Sequence, residues 1–322
     1  MQPEFIRSIV SADLAAVDDL IRDRLDSDVL LIRSIAEHII GGGGKRLRPS
    51  LLILAAKASG YVGSKHIELA AVVEFIHTAT LLHDDVVDES ELRRGNKTAN
   101  AEFGNAASVL VGDFLYSRAF QMMVSAGQMR IMKVLADATN AIAEGEVLQL
   151  LNTHNSAISE LDYLQIVYRK TAKLFEATAQ LGAILSNATM GLETGLARYG
   201  MHLGTAFQLI DDVLDYSGDA ATTGKNLGDD LNEGKPTLPL IHVLQCGTSE
   251  NEIVVRNAVE QGGRNGFEKV LTAIKATGSL DYARDVARRE IEQARLALGA
   301  LPQSIFKDCL LELAVFAVER DH

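Results

Sequence analysis

The sequence predicts an all-α protein, and three observations carry that reading. Apolar residues recur at helical spacing over long stretches, and no sustained alternation of period two is present to build a sheet. The chain of 322 residues holds only 5 Pro, so long helices run on without a breaker. An apolar helical stretch (Val72, Val73, Phe75, Ile76, Leu81, Leu82) also leads straight into three aspartates, and a second stretch repeats the arrangement.

Residues 11–25 and 28–40 read as two amphipathic helices. In the second, Val29, Ile32, Ile35, Ala36 and Ile39 keep helical spacing, which predicts packing and no chemistry. The run Gly41-Gly-Gly-Gly-Lys-Arg-Leu-Arg-Pro49 follows. Its glycines end the helix and let backbone approach a ligand closely. Lys45, Arg46 and Arg48 then crowd a helix start for which Pro49 suits the first turn. Bases on a Gly-rich loop at a helix start suit a diphosphate. The alternative is a flexible linker with solvated charges. It is not a P-loop, since the spacing and the Ser or Thr after Lys are missing.

Residues 50–60 read as a buried helix, and 66–94 as a long helix closed by Gly95. On it Asp84 and Asp88 point the same way, with Asp85 about 100° round. Three carboxylates among Leu and Val repel one another and are costly to bury. A divalent cation offsets that cost. Mg2+ suits the place, because it takes one or two carboxylates together with substrate phosphates. Arg93 and Arg94 follow close behind. His77 lies on the Asp84 face two turns earlier, and is either a core histidine or a ligand contact. His83, beside Asp84, reads as structural or as a support behind the aspartates.

Residues 104–126 form a helix in which Ala106, Ala107, Ser108 and Gly112 permit close packing, and Tyr116, Phe120 and Met123 make an ordinary core stripe. Residues 129–152 form another, with Glu144 and Glu146 near its end. In 160–187 the pair Lys170-Thr171 reads two ways: Lys170, Lys173 and Glu176 form a surface ladder, or Lys170 and Thr171 bind phosphate. Spacing does not choose. Residues 194–216 carry Gln208, then Asp211, Asp212 and Asp215 at the spacing of Asp84, Asp85 and Asp88. Two such helices facing each other would wall a cavity with carboxylates. The loop 223–239 sets Lys225 and Lys235 beside acids and could close over the site. In 237–320, Arg284, Arg288, Arg289 and Arg295 among acids read as a solvated face.

A net charge of −12 excludes general nucleic-acid binding. Cys246 and Cys309 read as buried free thiols in a reducing, cytoplasmic setting. No signal peptide and no run of 18 apolar residues is visible, so no transmembrane segment is expected. An apolar product would still be handed to a membrane.

The ordered set Gly-Gly-Lys-Arg-Leu-Arg-Pro, Leu-His-Asp-Asp-Val-Val-Asp with Arg-Arg-Gly, Lys-Thr, Phe-Gln-Leu-Ile-Asp-Asp-Val-Leu-Asp, then Gly-Lys and Gly-Lys-Pro, resembles the trans-prenyl diphosphate synthases, most of all their long-chain bacterial branch. The motifs span residues 41–239 without a departure. The resemblance implies an isoprenoid-synthase-type helical bundle around a deep central cavity, residues 1–322 as a single domain, and a homodimer. It implies prenyl diphosphate substrates and a product used for a quinone side chain. It assigns Mg2+ to Asp84, Asp88, Asp211 and Asp215. It assigns isopentenyl diphosphate to Lys45, Arg48, His77 and Arg94, and the allylic diphosphate to Arg93, Lys170, Thr171, Gln208 and Lys225, with Lys235 nearby. The aspartates, Lys170 and Lys225 carry the catalysis.

The expected reaction needs no protein nucleophile. Mg2+ makes the diphosphate a better leaving group. The allylic C–O bond ionises, the isopentenyl double bond attacks the cation, and a proton leaves to the departing pyrophosphate. The growing tail passes the helix face below Asp84. Thr80 and Ala79 there are no aromatic plug, Ile76 and Phe75 come about 6 Å lower, and Met123, with Met122 or Leu135, is the expected floor. Three rival readings are a class I terpene cyclase, which leaves Lys45, Arg48 and Arg94 unexplained; a His-Asp metal phosphohydrolase, which does not use the second acidic motif; and a non-catalytic subunit, which would not need every acid.

Overall fold

A computed structural model describes residues 3–41, 44–93, 95–217, 227–263 and 266–319. Among them the chain is helical, with one hairpin of two-residue strands as its sheet. The all-α expectation holds. The chain divides into two compact units, each drawn from three stretches: Met1–Thr139, Leu174–Gly200 and Ala297–Leu313 in the first, and Asn140–Lys173, Met201–Leu296 and Ala314–His322 in the second.

In the first unit, α1 (Pro3–Leu25) starts earlier than expected. The reason is that Ile6 and Val10 extend the buried stripe of Leu14, Val17, Ile21 and Leu25 at spacings of three and four. In α2 (Leu30–Gly41) Ile35 and Ala36 are buried outright, while Val29 before it is 55% exposed. The central helix α3 (Leu47–Ala58) is buried almost all round, from Leu51 to Ala56. It is approached by α9 (Lys173–Leu185), where a Cβ at Gly182 would lie 2.6 Å from that of Ala55.

The helix α4 (Lys65–Val87) ends seven residues before the expected Arg94. Asp88 is its C-cap and Glu89 sits in the left-handed region at φ 50°. The Ser90 N–H reaches Asp85 O at 2.9 Å and the Glu89 N–H reaches Val86 O at 3.4 Å. This is the 6→1 and 5→2 pattern of a Schellman stop, with Glu where Gly is usual. Gly95, and not Glu89, carries the sequence signal for a helix stop, so the expected helix is too long. Gly95, at φ 77°, serves the turn between β1 (Leu92–Arg93) and β2 (Asn96–Lys97).

After α5 (Ala99–Phe103), Gly104 at φ 88° breaks the expected 104–126 helix from what precedes it, and α6 (Asn105–Ser125) begins. Its buried face is Ala107, Val111, Leu115, Ala119 and Met122–Met123, whereas Phe120 is 39% exposed. The stripe through Tyr116 and Phe120 is therefore one position off the true core. The α6 backbone closes on α4 through its small residues, and Ser108 Oγ donates to Leu82 O at 2.9 Å.

In the second unit, Tyr216, Leu231, Leu240, Val243, Val255, Val259, Val270 and Ile274 form one apolar core. They come from the end of α10 (Met190–Ser217), α11 (Asp229–Asn232), α12 (Leu238–Cys246), α13 (Ser249–Gln261) and α14 (Phe267–Thr277). Cys309 is buried, but Cys246 is exposed at the last turn of α12, which corrects the expectation of two buried thiols. On α15 (Ser279–Ala297), Arg284, Arg288 and Arg295 pair with acids three positions before them, the solvated face expected of them.

Candidate active site

In the first unit the acidic motif occupies the last turn of α4. Asp84 and Asp88 are half-buried, and Asp85, round the helix, is 3% exposed. Arg93 donates to Asp85 Oδ1 from Nε at 2.9 Å and from Nη2 at 2.6 Å. Asn100 Nδ2 holds Asp85 O at 3.0 Å, and Thr98 Oγ1 holds Ser90 O at 2.7 Å. The stop of the helix is thus stitched to the hairpin through the one aspartate that points inward. Arg93, expected on a diphosphate, is committed first to Asp85. Its five N–H donors are not exhausted by that pair.

The basic loop splits by role. Lys45 is exposed. The guanidinium of Arg48 lies 4.4 Å over the Phe175 ring. Arg46, between them, takes the left-handed conformation at φ 47° and turns inward to Asp18 at 2.9 Å and Glu74 at 2.6 Å. It anchors the loop, a role that three bases in four positions did not reveal. His77 is half-buried, and Thr80 Oγ1 donates to its carbonyl at 2.7 Å. His83 packs where a Cβ at Gly112 would be 2.3 Å from its Nε2, with Val109 O at 3.2 Å. Ala79, Ile76 and Met123 are fully buried, as is Leu135. Arg94 and Lys225 lie outside the described residues.

In the second unit, Gln149, Tyr163, Lys170, Thr171, Gln208, Asp212, Asp230 and Lys235 line one small cavity. Two local features aim Lys170 and Thr171. The stretch Tyr168–Ala172, between α8 (Glu160–Val167) and α9, is a π-helical turn, a form that recurs at functional sites. Gly145, in α7 (Met129–Asn152), lets that turn come close, since a Cβ there would stand 2.6 Å from Lys170 N. Lys170 Nζ meets Glu146 Oε2 at 2.6 Å and also Gln149. Lys170 thus reaches across to α7. The extra residue of the π-turn rotates it toward α7, which period-3.6 reasoning could not foresee.

Thr171 Oγ1 donates to Gln208 Oε1 at 2.9 Å, and Gln208 Nε2 donates to Asp212 Oδ1 at 2.8 Å. Tyr163 donates its hydroxyl to the other oxygen of Asp212. Burial pushes the Asp212 carboxyl up to about 8, with repulsion from Asp230 adding to it and the Tyr163 and Gln208 hydrogen bonds opposing it. Burial, then the Asp212 charge, hold the Tyr163 phenol well above its ordinary range. Asp215 accepts the main-chain N–H groups of Asp229 at 3.1 Å and Asp230 at 3.3 Å. Lys235 is nearly buried, with Nζ 2.5 Å from Glu233 Oε2. In both motifs the middle aspartate, Asp85 or Asp212, is the buried one held by protein donors. The outer pair is more open.

Among the described residues no three His, Cys, Asp or Glu side chains gather into a metal cage. Taken one motif at a time, the open outer carboxylates suit a hard divalent cation, which would take water and phosphate oxygen as its further ligands.

The polyprenyl synthetase family model matches residues 29–276. The chain belongs to the polyprenyl synthetase family. It is a prenyltransferase. Octaprenyl diphosphate synthase of Escherichia coli (strain K12) is 54% identical to it over all of both chains. A polyprenyl synthase of Caulobacter crescentus, solved with calcium and isoprenyl diphosphate, is 44% identical with a TM-score of 0.96, covering 100% of this chain and 98% of that one. A decaprenyl diphosphate synthase of Rhodobacter capsulatus is 44% identical with a TM-score of 0.93, covering 100% of both. These family members carry the isoprenoid-synthase helical fold. A divalent metal serves the family. The cyclase and phosphohydrolase readings are not favoured.

Proposed function

We propose that this chain is a long-chain trans-polyprenyl diphosphate synthase, making octaprenyl diphosphate by adding isopentenyl diphosphate head-to-tail to an allylic diphosphate such as farnesyl diphosphate. The single observation that carries the chain length is the full-length 54% identity with the E. coli octaprenyl enzyme. A relative at 44% makes a decaprenyl chain by its name, so the length needs its own measurement.

In this reading Asp84, Asp88, Asp211 and Asp215 would hold Mg2+, and its charge would favour departure of the allylic diphosphate as pyrophosphate. Arg93, Lys170, Thr171, Gln208, Lys225 and Lys235 grip that diphosphate. Lys45, Arg48, His77 and Arg94 orient isopentenyl diphosphate. Arg94 and Lys225 enter by motif order alone. The Thr171–Gln208–Asp212 chain supports the allylic assignment, because it fixes the Gln208 amide before any substrate arrives. Apolar walls must exclude water, which would quench the cation.

Residues 1–322 act as one catalytic domain, and the enzyme works as a cytoplasmic homodimer whose product supplies a quinone side chain. Exposed Leu110, Phe120 and Val124 on α6 support the homodimer, and light scattering tests it. The free thiols of Cys246 and Cys309 support a reducing compartment. Among the described residues no helix is long and apolar enough to cross a membrane.

The deciding experiment supplies farnesyl diphosphate, labelled isopentenyl diphosphate and Mg2+, then sizes the product. A C40 product supports the reading. Turnover of the allylic diphosphate alone, to a hydrocarbon or alcohol, would replace it with a cyclase.

A further inference from the structure

His154 stands just past the end of α7, at φ 63°. A left-handed residue at a helix end ordinarily turns its N–H back to its own helix. Here that N–H goes instead to Gly234 O, at 2.8 Å. The His154 ring then reaches on: Nδ1 lies 2.9 Å from Val259 O. A carbonyl only accepts, so Nδ1 carries the proton. Two glycines make room for the ring. A Cβ at Gly234 would stand 2.2 Å from Nδ1, and one at Gly262 would stand 2.8 Å from Cε1. Gly263 N–H closes the same knot on Asn232 O at 2.9 Å.

The next residue after Gly234 is Lys235, and the next is Pro236. A residue before proline is confined to extended backbone. Lys235 therefore has little local slack, and its direction follows from where Gly234 is held. Its own N–H is tied to Asp230 O at 2.8 Å, and its side chain lines the cavity of Lys170, Thr171, Gln208 and Asp212. The segment is pinned upstream by Asp215 and at Gly234 by His154.

We propose that His154 is a positioning residue for Lys235: its backbone N–H and its ring, wedged between Gly234 and Gly262, set the lysine toward the allylic diphosphate. The inference rests on the reading of Lys235 as a ligand of that diphosphate. His154 itself is exposed, so truncating it opens no core cavity. Nothing in its position calls for direct contact with substrate.

The test is a double-mutant cycle in the full-length enzyme with Mg2+, using His154→Ala, His154→Asn, Lys235→Ala and the His154→Ala/Lys235→Ala pair. KM for farnesyl diphosphate, KM for isopentenyl diphosphate and kcat are read for each, with a denaturation midpoint as control. His154→Ala is expected to raise the allylic KM about tenfold, the loss of one well-placed charge-assisted contact. The isopentenyl KM should not move. In the Lys235→Ala background the same change should add nothing. His154→Asn should stay near wild type, since Asn tolerates the left-handed region and its amide can donate to Val259 O. An unmoved allylic KM in His154→Ala, or an equal rise in both backgrounds, overturns the proposal. If Lys235→Ala alone leaves the allylic KM unchanged, the lysine assignment has failed first and the inference goes with it.

Discussion

Tyr163 donates its hydroxyl to Asp212, and both side chains are almost wholly buried, at 5% and 2% exposure. A buried carboxyl group is tolerable only while hydrogen-bond partners satisfy it. Asp212 has Tyr163 on one oxygen and Gln208 on the other. Tyr163→Phe deletes one of them and leaves shape unchanged. The expected cost is about 1 kcal/mol, the usual net worth of an intramolecular hydrogen bond, because burial favours the uncharged form of Asp212. A denaturant midpoint shift at constant m-value measures it.

The first motif separates stability from chemistry in adjacent residues. Asp85 is buried on Arg93, whereas Asp84 and Asp88 are half-open. Asp85→Ala should destabilise the fold by about 2 kcal/mol, because it leaves Arg93 and the end of α4 without their tie. Asp84→Ala or Asp88→Ala should leave the denaturation midpoint within about 0.5 kcal/mol of wild type and abolish most turnover at saturating Mg2+. Stability curves and product assays on the three variants check this. A stable, active Asp84→Ala enzyme would remove Asp84 from the metal set.

Much of this was legible in the sequence, and the misses share a physical cause. The two Asp-Asp-x-x-Asp repeats and their apolar approach were enough to set the inward and outward faces, since helix periodicity is rigid. Geometry that departs from periodicity was not legible. The stop at Asp88 uses Glu89 in a conformation that sequence reasoning reserves for Gly. The π-turn at Tyr168–Ala172 brings Lys170 to Glu146 on α7. Arg46 shares its charge and neighbourhood with Lys45 and Arg48, yet a left-handed backbone sends it to Asp18 and Glu74. Tyr163 and His154 gave no signal at all, because their partners are 49 and 105 residues away in sequence.

Acid stability should depend on Asp13, away from the chemistry. Burial raises its pKa, but hydrogen bonds and charge from Lys57 at 2.5 Å and His66 at 3.1 Å outweigh that and hold the carboxyl below its ordinary value. A depressed folded pKa means the unfolded chain binds the proton more readily. The contribution is therefore present above the ordinary carboxylate pKa and fades as pH falls through the lowered folded value. Asp13→Asn should cost about 1.5 kcal/mol at pH 7. The gap between wild type and variant should close on acidification below pH ~4. Denaturation series at several pH values read it directly.

Product length should respond to the α4 face that carries Ala79. Ala79 and Ile76 are fully buried on that helix, and Met123 is fully buried on α6. A prenyl tail growing past Asp84 along this face meets no ring at position 79. Ala79→Tyr places one there. Overpacking a core position costs about 1–3 kcal/mol, so circular dichroism must first show the variant folded. A folded variant should still add the first isopentenyl unit to farnesyl diphosphate, because the diphosphate sites are untouched. It should then stop several units short of wild type on chromatography of the labelled product. Full-length product from a folded, active Ala79→Tyr enzyme would mean that the tail runs along another face. In that case Ala79, Thr80, Ile76 and Met123 would all drop out of the length-setting assignment together.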